Sequence, residues 1–193
     1  VVHCDIKPAN IFMVGRTQPK VLDFSIARVT RRQPRGKTGG DVVDIDTGSL
    51  GAAPAELGSP YYVSPEQLRG EALDARADVY GVGVVMYEML TGQRAFAGAS
   101  LDEIRRAVQD SDVPAAHAVN TKIDRALSDI VARAMARKPG DRFRSARQLS
   151  RALRTCPSTL VFQTLSQAAS SRWRKSLRSP TPALLTSTSS RPN

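Results

Sequence analysis

Within the first ten residues stand Asp5, Lys7 and Asn10, three side chains whose types and spacing suit phosphoryl transfer. A carboxylate can accept a hydroxyl proton, an ammonium two residues on can neutralise charge on a moving phosphoryl group, and an amide oxygen can hold Mg²⁺. A second carboxylate, Asp23, lies at the end of two short apolar runs, residues 11–14 and 20–24, separated by Gly15-Arg16-Thr17-Gln18-Pro19. That pattern predicts a small hairpin with Asn10 at one end and Asp23 at the other. Two oxygen ligands converging at a hairpin base meet the need of a Mg²⁺ ion that also takes phosphate oxygens.

The elements that must position these groups are mostly helical. Residues 28–57 are rich in Gly, Thr, Asp, Arg and Pro without sustained periodicity, and read as a mobile loop. Order is expected to return at Gly58-Ser59-Pro60-Tyr61-Tyr62-Val63, followed by a short helix from Pro65 with Ser64 as its N-cap. Residues 75–91 form the strongest helix pattern, apolar nearly all round and ended by Thr91-Gly92, which predicts a helix at the centre of a domain. Three amphipathic helices are expected at about 100–110, 123–137 and 145–154, the second with a stripe of Ile123, Leu127, Ile130, Val131, Ala134 and Met135. The expected class is α+β: a mainly helical domain over residues 1–154 with one small β-hairpin. Residues 155–193 are rich in Ser, Thr, Pro and Arg and are expected to be a disordered basic tail.

Composition narrows the function classes. A chain of 193 residues supports one domain with a real core. The net charge of +10 is half supplied by residues 156–193, which hold five basic residues and no acid. A second basic cluster is Arg28, Arg31, Arg32, Arg35 and Lys37. Both read as solvated segments, and no specific nucleic acid is expected. Trp173 among basic residues reads likewise as part of the tail. Cys4 and Cys156 have no disulfide or metal-site spacing, which fits a reducing cytoplasm. No stretch approaches the roughly 20 apolar residues of a transmembrane helix. His117 reads as a loop residue without a partner.

The ordered motifs resemble a known family. His3-Cys4-Asp5-Ile6-Lys7-Pro8-Ala9-Asn10 resembles the protein kinase catalytic loop H-R-D-x-K-x-x-N, Asp23-Phe24-Ser25 the D-F-G motif, and Ser64-Pro65-Glu66 the A-P-E motif. Gly58-Ser59-Pro60-Tyr61-Tyr62 resembles the G-T-x-x-Y stretch, Asp78 with Gly83 the D-x-x-x-x-G pattern of the central helix, and Asp141-Arg142-Phe143 the arginine segment before the last helix. The general likeness is to the eukaryotic-like serine/threonine kinases of bacteria, over residues 1 to about 153. The resemblance implies ATP and Mg²⁺ as cofactors and a protein substrate with a Ser or Thr acceptor. It implies Asp5 as the catalytic base, Lys7 against the γ-phosphate, and Asn10 and Asp23 as Mg²⁺ ligands. Ser59 and Tyr62 would belong to the substrate-facing activation segment, residues 23–66. Structural roles are implied for His3 beside Phe24, for Asp78, and for a Glu66–Arg142 pair.

Three departures shape the expectations. Cys4 replaces the arginine that pairs with a phosphorylated loop, so a phosphate on Thr38, Thr47 or Ser49 lacks its usual partner. Ser25 replaces a glycine and restricts positive φ there. These 193 residues contain no G-x-G-x-x-G loop and no V-A-I-K lysine. Because the sequence opens inside the catalytic loop, the expectation is a C-terminal lobe without its N-terminal lobe, with apolar surface facing water and negligible activity alone. The alternative is a pseudokinase or scaffold built on the same lobe.

Overall fold

The computed structural model describes residues 1–15, 18–28 and 60–157. From the amino end these form strands β1 (Ile11–Val14) and β2 (Gln18–Val21), then helices α1 (Pro65–Leu68), α2 (Ala75–Thr91), α3 (Leu101–Asp110), α4 (Ala116–Val119), α5 (Arg125–Ala134) and α6 (Ala146–Thr155). Single 3₁₀ turns stand at Pro8–Asn10, Pro60–Tyr62 and Pro139–Asp141.

Helix α2 is the hub because its apolar residues point in every direction. Tyr80 and Val84 pack with Phe96, Ile104 and Val108; Tyr87 with Ile123, Leu127 and Val131; Val79 with Ala134, Phe143 and Leu149. Its ends are chemically marked. Asp74 accepts the Arg76 N–H at 2.8 Å as N-cap, and Gly92 closes the helix at φ 72° with its N–H on the Glu88 carbonyl. Gly83 is required by proximity: a Cβ there would lie 2.9 Å from Ala134 Cβ and Met135 Cγ, so the end of α5 can come this close to α2 only because the residue is glycine.

The remaining helices carry their own caps. Ser100, Asp124 and Ser145 each accept a backbone N–H from the first turn of α3, α5 and α6. The expected span at 123–137 is shortened at both ends. Asp124 stops the helix from starting earlier by accepting the Leu127 N–H at 2.8 Å, and Met135 already leaves helical geometry. Ile123 is nevertheless buried, packed from the turn before the helix. His117 requires correction. It lies in α4, and its ring Nδ1 is 2.9 Å from the Ser128 hydroxyl, which also accepts the His117 N–H at 3.3 Å. A polar residue inside the apolar stripe of α5 supplied that partner.

The hairpin also differs in register from the sequence expectation. β2 begins earlier, at Gln18, with Pro19 opposite Met13, and ends at Val21 rather than at residue 24. Proline is tolerated because a two-stranded ribbon has only edges. The strand cannot run on through Asp23, whose φ of 63° lies in the left-handed region. The expected mobile loop at 28–57, the basic residues Arg31, Arg32, Arg35 and Lys37, the sites Thr38, Thr47 and Ser49, Ser59, and the tail from 158 onward including Trp173 lie outside the described residues.

Candidate active site

The site is built on a strained peptide that helix α2 holds in place. Cys4 is a non-glycine residue at φ 65°, a conformation that costs about 1 kcal/mol or more unless its surroundings impose it. Asp78, in the first turn of α2, accepts the His3 N–H on one carboxylate oxygen and the Cys4 N–H on the other, both at 2.8 Å. Gln67 of α1 donates its Nε2 to the Cys4 carbonyl at 2.8 Å. Cys4, the residue before Asp5, is thereby gripped at its N–H and its carbonyl by two different helices, while the Asp5 N–H donates to His3 Nδ1 at 3.2 Å. Gly81 lets Ile6 settle on α2, since a Cβ there would meet Ile6 Cβ at 3.0 Å.

From that support the polar cluster follows. Asp5 Oδ2 accepts Lys7 Nζ at 2.6 Å and Asn10 Nδ2 at 2.8 Å, and Asn10 Nδ2 also reaches the Asp5 carbonyl at 2.9 Å. Asn10 is buried, while Asp5 and Lys7 keep 14% and 18% of their side-chain surface, enough for an incoming group to touch them. The amide nitrogen of Asn10 is committed to Asp5, which leaves its amide oxygen as the end available to a cation. The Leu22 N–H bonds the Asn10 carbonyl at 2.8 Å, continuing the hairpin ladder by one rung and bringing Asp23 next to this corner. Asp23 is exposed. Its carboxyl is held below the ordinary range, first by its hydrogen bonds with Ser25 and less by Lys7, so it is ionised at neutral pH.

His3 lines the back of the corner. Its ring stands 4.6 Å from that of Phe24, and Nε2 lies 3.0 Å from the Leu22 carbonyl, tying the loop to the chain just before Asp23. Ser25 carries no positive φ; the left-handed residue in this segment is Asp23, so the replacement of glycine meets no backbone penalty here. Cys4 is buried beside Val2, Ala77 and Leu73. Burial, and then the charge of Asp78, push its thiol up to about 11, which makes it a packing group rather than a nucleophile at neutral pH. Phe12, Leu22, Phe24 and Ile26 around the corner are all exposed, the largest at 61%.

The structure brings Glu66 and Arg142 together as a buried bidentate pair, with Nη1–Oε1 at 2.6 Å and Nη2–Oε2 at 2.7 Å. The remaining three N–H groups of Arg142 go to the carbonyls of Ala136, Arg76 and Arg137, so all five donors are used. Tyr62 donates its hydroxyl to Glu88 at 2.6 Å, and burial together with that bond holds the phenol above its ordinary range. Gln67 escaped the sequence reading. Its signal was present as a capping box: it stands three residues after N-cap Ser64 and takes the Ser64 N–H at 3.1 Å and hydroxyl at 2.9 Å on its Oε1.

Comparison with known proteins places this geometry. The protein kinase domain family matches residues 1–152. The chain is 36% identical over 151 residues to the serine/threonine-protein kinase PknB of Mycolicibacterium smegmatis, covering 77% of this chain and 22% of that protein. It is 36% identical over 146 residues to the serine/threonine-protein kinase PknL of Mycobacterium tuberculosis, covering 76% and 33% respectively. The chain thus spans a third or less of the length of these relatives. Among solved structures, the twitchin kinase region from C. elegans superposes with a TM-score of 0.58 at 24% identity, over 81% of this chain and 24% of that one, a likeness of fold. The chain belongs to the protein kinase domain family, within its bacterial serine/threonine type.

Proposed function

We propose that this chain carries the catalytic corner of a protein serine/threonine kinase, whose reaction transfers the γ-phosphoryl group of ATP to a protein Ser or Thr hydroxyl. One observation carries the reading: Asp5 Oδ2 is shared by Lys7 Nζ and Asn10 Nδ2 at 2.6 and 2.8 Å. Asp5 is the group that orients the acceptor hydroxyl and takes its proton. Lys7 holds Asp5 with one N–H and has two more to offer a phosphate oxygen.

The donor set fits Mg²⁺. The Asn10 amide oxygen and the ionised Asp23 carboxylate are hard oxygen ligands at one hairpin base, and Mg²⁺ takes few protein oxygens when phosphates and waters supply the rest. When bound there, the ion supplies charge neutralisation to the phosphate oxygens. Tyr62 and Ser59 belong to the segment that receives the substrate, and the Tyr62–Glu88 bond anchors its described part to α2. Asp78, His3, Glu66 and Arg142 act by holding backbone in place. The unpaired cysteines fit a cytoplasmic protein. Among the described residues, no helix is long and apolar enough to cross a membrane.

Residues 1–193 alone are expected to have negligible turnover, because they contain neither a glycine-rich loop nor the strand lysine that hold the ATP phosphates. The decisive assay measures phosphate transfer from Mg²⁺-ATP to a generic basic protein, with and without the N-terminal lobe of a related bacterial serine/threonine kinase fused ahead of Val1. Activity is expected only in the extended chain, and Asp5→Asn abolishes it. Full activity of the extended Asp5→Asn variant would refute the assignment of Asp5.

A further inference from the structure

A cavity of about 410 Å³ lies between α2, the segment following α3, and the end of α5, and none of its lining residues belongs to the Asp5 corner. Two tyrosines line it, Tyr80 and Tyr87, two turns apart on one side of α2. They are 1% and 4% exposed. Neither phenol hydroxyl has a hydrogen-bond partner among the described residues, in contrast to Tyr62, which donates to Glu88. Burial holds both phenols above their ordinary range, so they are O–H donors at neutral pH. A buried hydroxyl left without a partner costs free energy, and such groups in native proteins call for an explanation.

The rest of the lining says what could satisfy them. Phe96, Val108, Val131 and Met135 form apolar walls. At the mouth the charges cancel: Arg137 donates to Asp112 at 2.9 Å and to the Asp110 carbonyl at 2.8 Å, and Lys138 is balanced by Asp141. A volume in this range accepts a small molecule. Two donors without acceptors among the described residues select a molecule bearing an acceptor, the walls select an aromatic or apolar body, and the neutral mouth selects no charge.

We propose that this cavity binds a small, uncharged aromatic molecule carrying a carbonyl-type acceptor, which takes the hydroxyl of Tyr80 or of Tyr87. The site is independent of the kinase reading, and its test needs no catalysis.

The test uses a matched pair of probes on the 193-residue chain, benzophenone and diphenylmethane, which differ in one carbonyl. Calorimetric or NMR titration is expected to give benzophenone about tenfold tighter binding, the yield of one hydrogen bond. The double variant Tyr80→Phe/Tyr87→Phe is expected to lose that preference while melting at the same or a higher temperature, since it removes unpartnered hydroxyls. Ala132 lines the cavity and is exposed, so Ala132→Trp is expected to fold normally and exclude both probes. Equal binding of the two probes, or none, overturns the proposal. So does a double variant that melts lower, which would give the hydroxyls a structural partner, or benzophenone binding that survives Ala132→Trp.

Discussion

The Glu66–Arg142 pair offers a test of what a buried ion pair does here. Both groups are at least 97% buried, and they join α1 to the segment before α6 across 76 residues of sequence. Glu66→Gln keeps the shape and removes the charge, leaving a guanidinium buried without its counter-ion. Breaking such a pair from one side costs about 3–5 kcal/mol, a large share of the roughly 5–15 kcal/mol by which a domain is stable. Arg142→Met is expected to cost at least as much, because it also strips the donor from the carbonyls of Arg76, Ala136 and Arg137. Those three carbonyls make the double variant informative. Where an ion pair stands alone, apolar replacement of both partners is often neutral or stabilising. Here Glu66→Leu/Arg142→Met removes both charges but still orphans three carbonyls, at about 1 kcal/mol each for partly buried groups. The double variant is therefore expected to lie about 3 kcal/mol below the parent. Urea unfolding followed by far-UV circular dichroism measures this, with unchanged slope as the sign that the unfolded state is not altered. A double variant as stable as the parent would refute the reasoning, since Arg142 would then act as a counter-ion only and not as a five-donor hub.

Three further outcomes follow from the packing. The Cys4 thiol is raised to about 11 from 9.0, so as pH rises the unfolded chain loses this proton first; its contribution to stability is whole below pH 9 and is lost between pH 9 and 11. The unfolding midpoint of the parent is expected to fall further over that window than that of Cys4→Ala, and iodoacetamide at pH 8 is expected to label the half-buried Cys156 well before Cys4. Gly83→Ala places a methyl 2.9 Å from Ala134 Cβ and Met135 Cγ and is expected to destabilise by about 1–3 kcal/mol in the same urea assay. A neutral result would mean that α5 slides freely on α2.

Legibility in the sequence followed the range of the interaction. Helix α2 was readable from its apolar residues and from Gly92 at its end, which are local signals, while its N-cap Asp74 was named only by the structure. The hairpin was readable as a pair of short runs, but its register was not, since Pro19 opposes Met13 only once the ladder is assembled. The span at 123–137 was overdrawn because apolar periodicity continues through Ile123 and Met135 while the N-cap and the chain direction do not. His117 found its partner in Ser128, eleven residues away on another helix, and no local pattern announces that.

The sequence by itself determined which groups are available for chemistry: Asp5, Lys7 and Asn10 sit within six residues, and a tight turn brings such neighbours together whatever surrounds them. Motif order likewise carried the family, because six short patterns in fixed succession are specific without any coordinates. Only the tertiary structure decided how the corner is held. The left-handed peptide at Cys4 persists because Asp78, seventy-four residues on, takes its N–H while Gln67 takes its carbonyl. The two phenols of α2 that lack a partner among the described residues became visible for the same reason. Burial and hydrogen-bond satisfaction belong to the packed molecule, and a tyrosine in a sequence carries no record of whether its hydroxyl will find an acceptor.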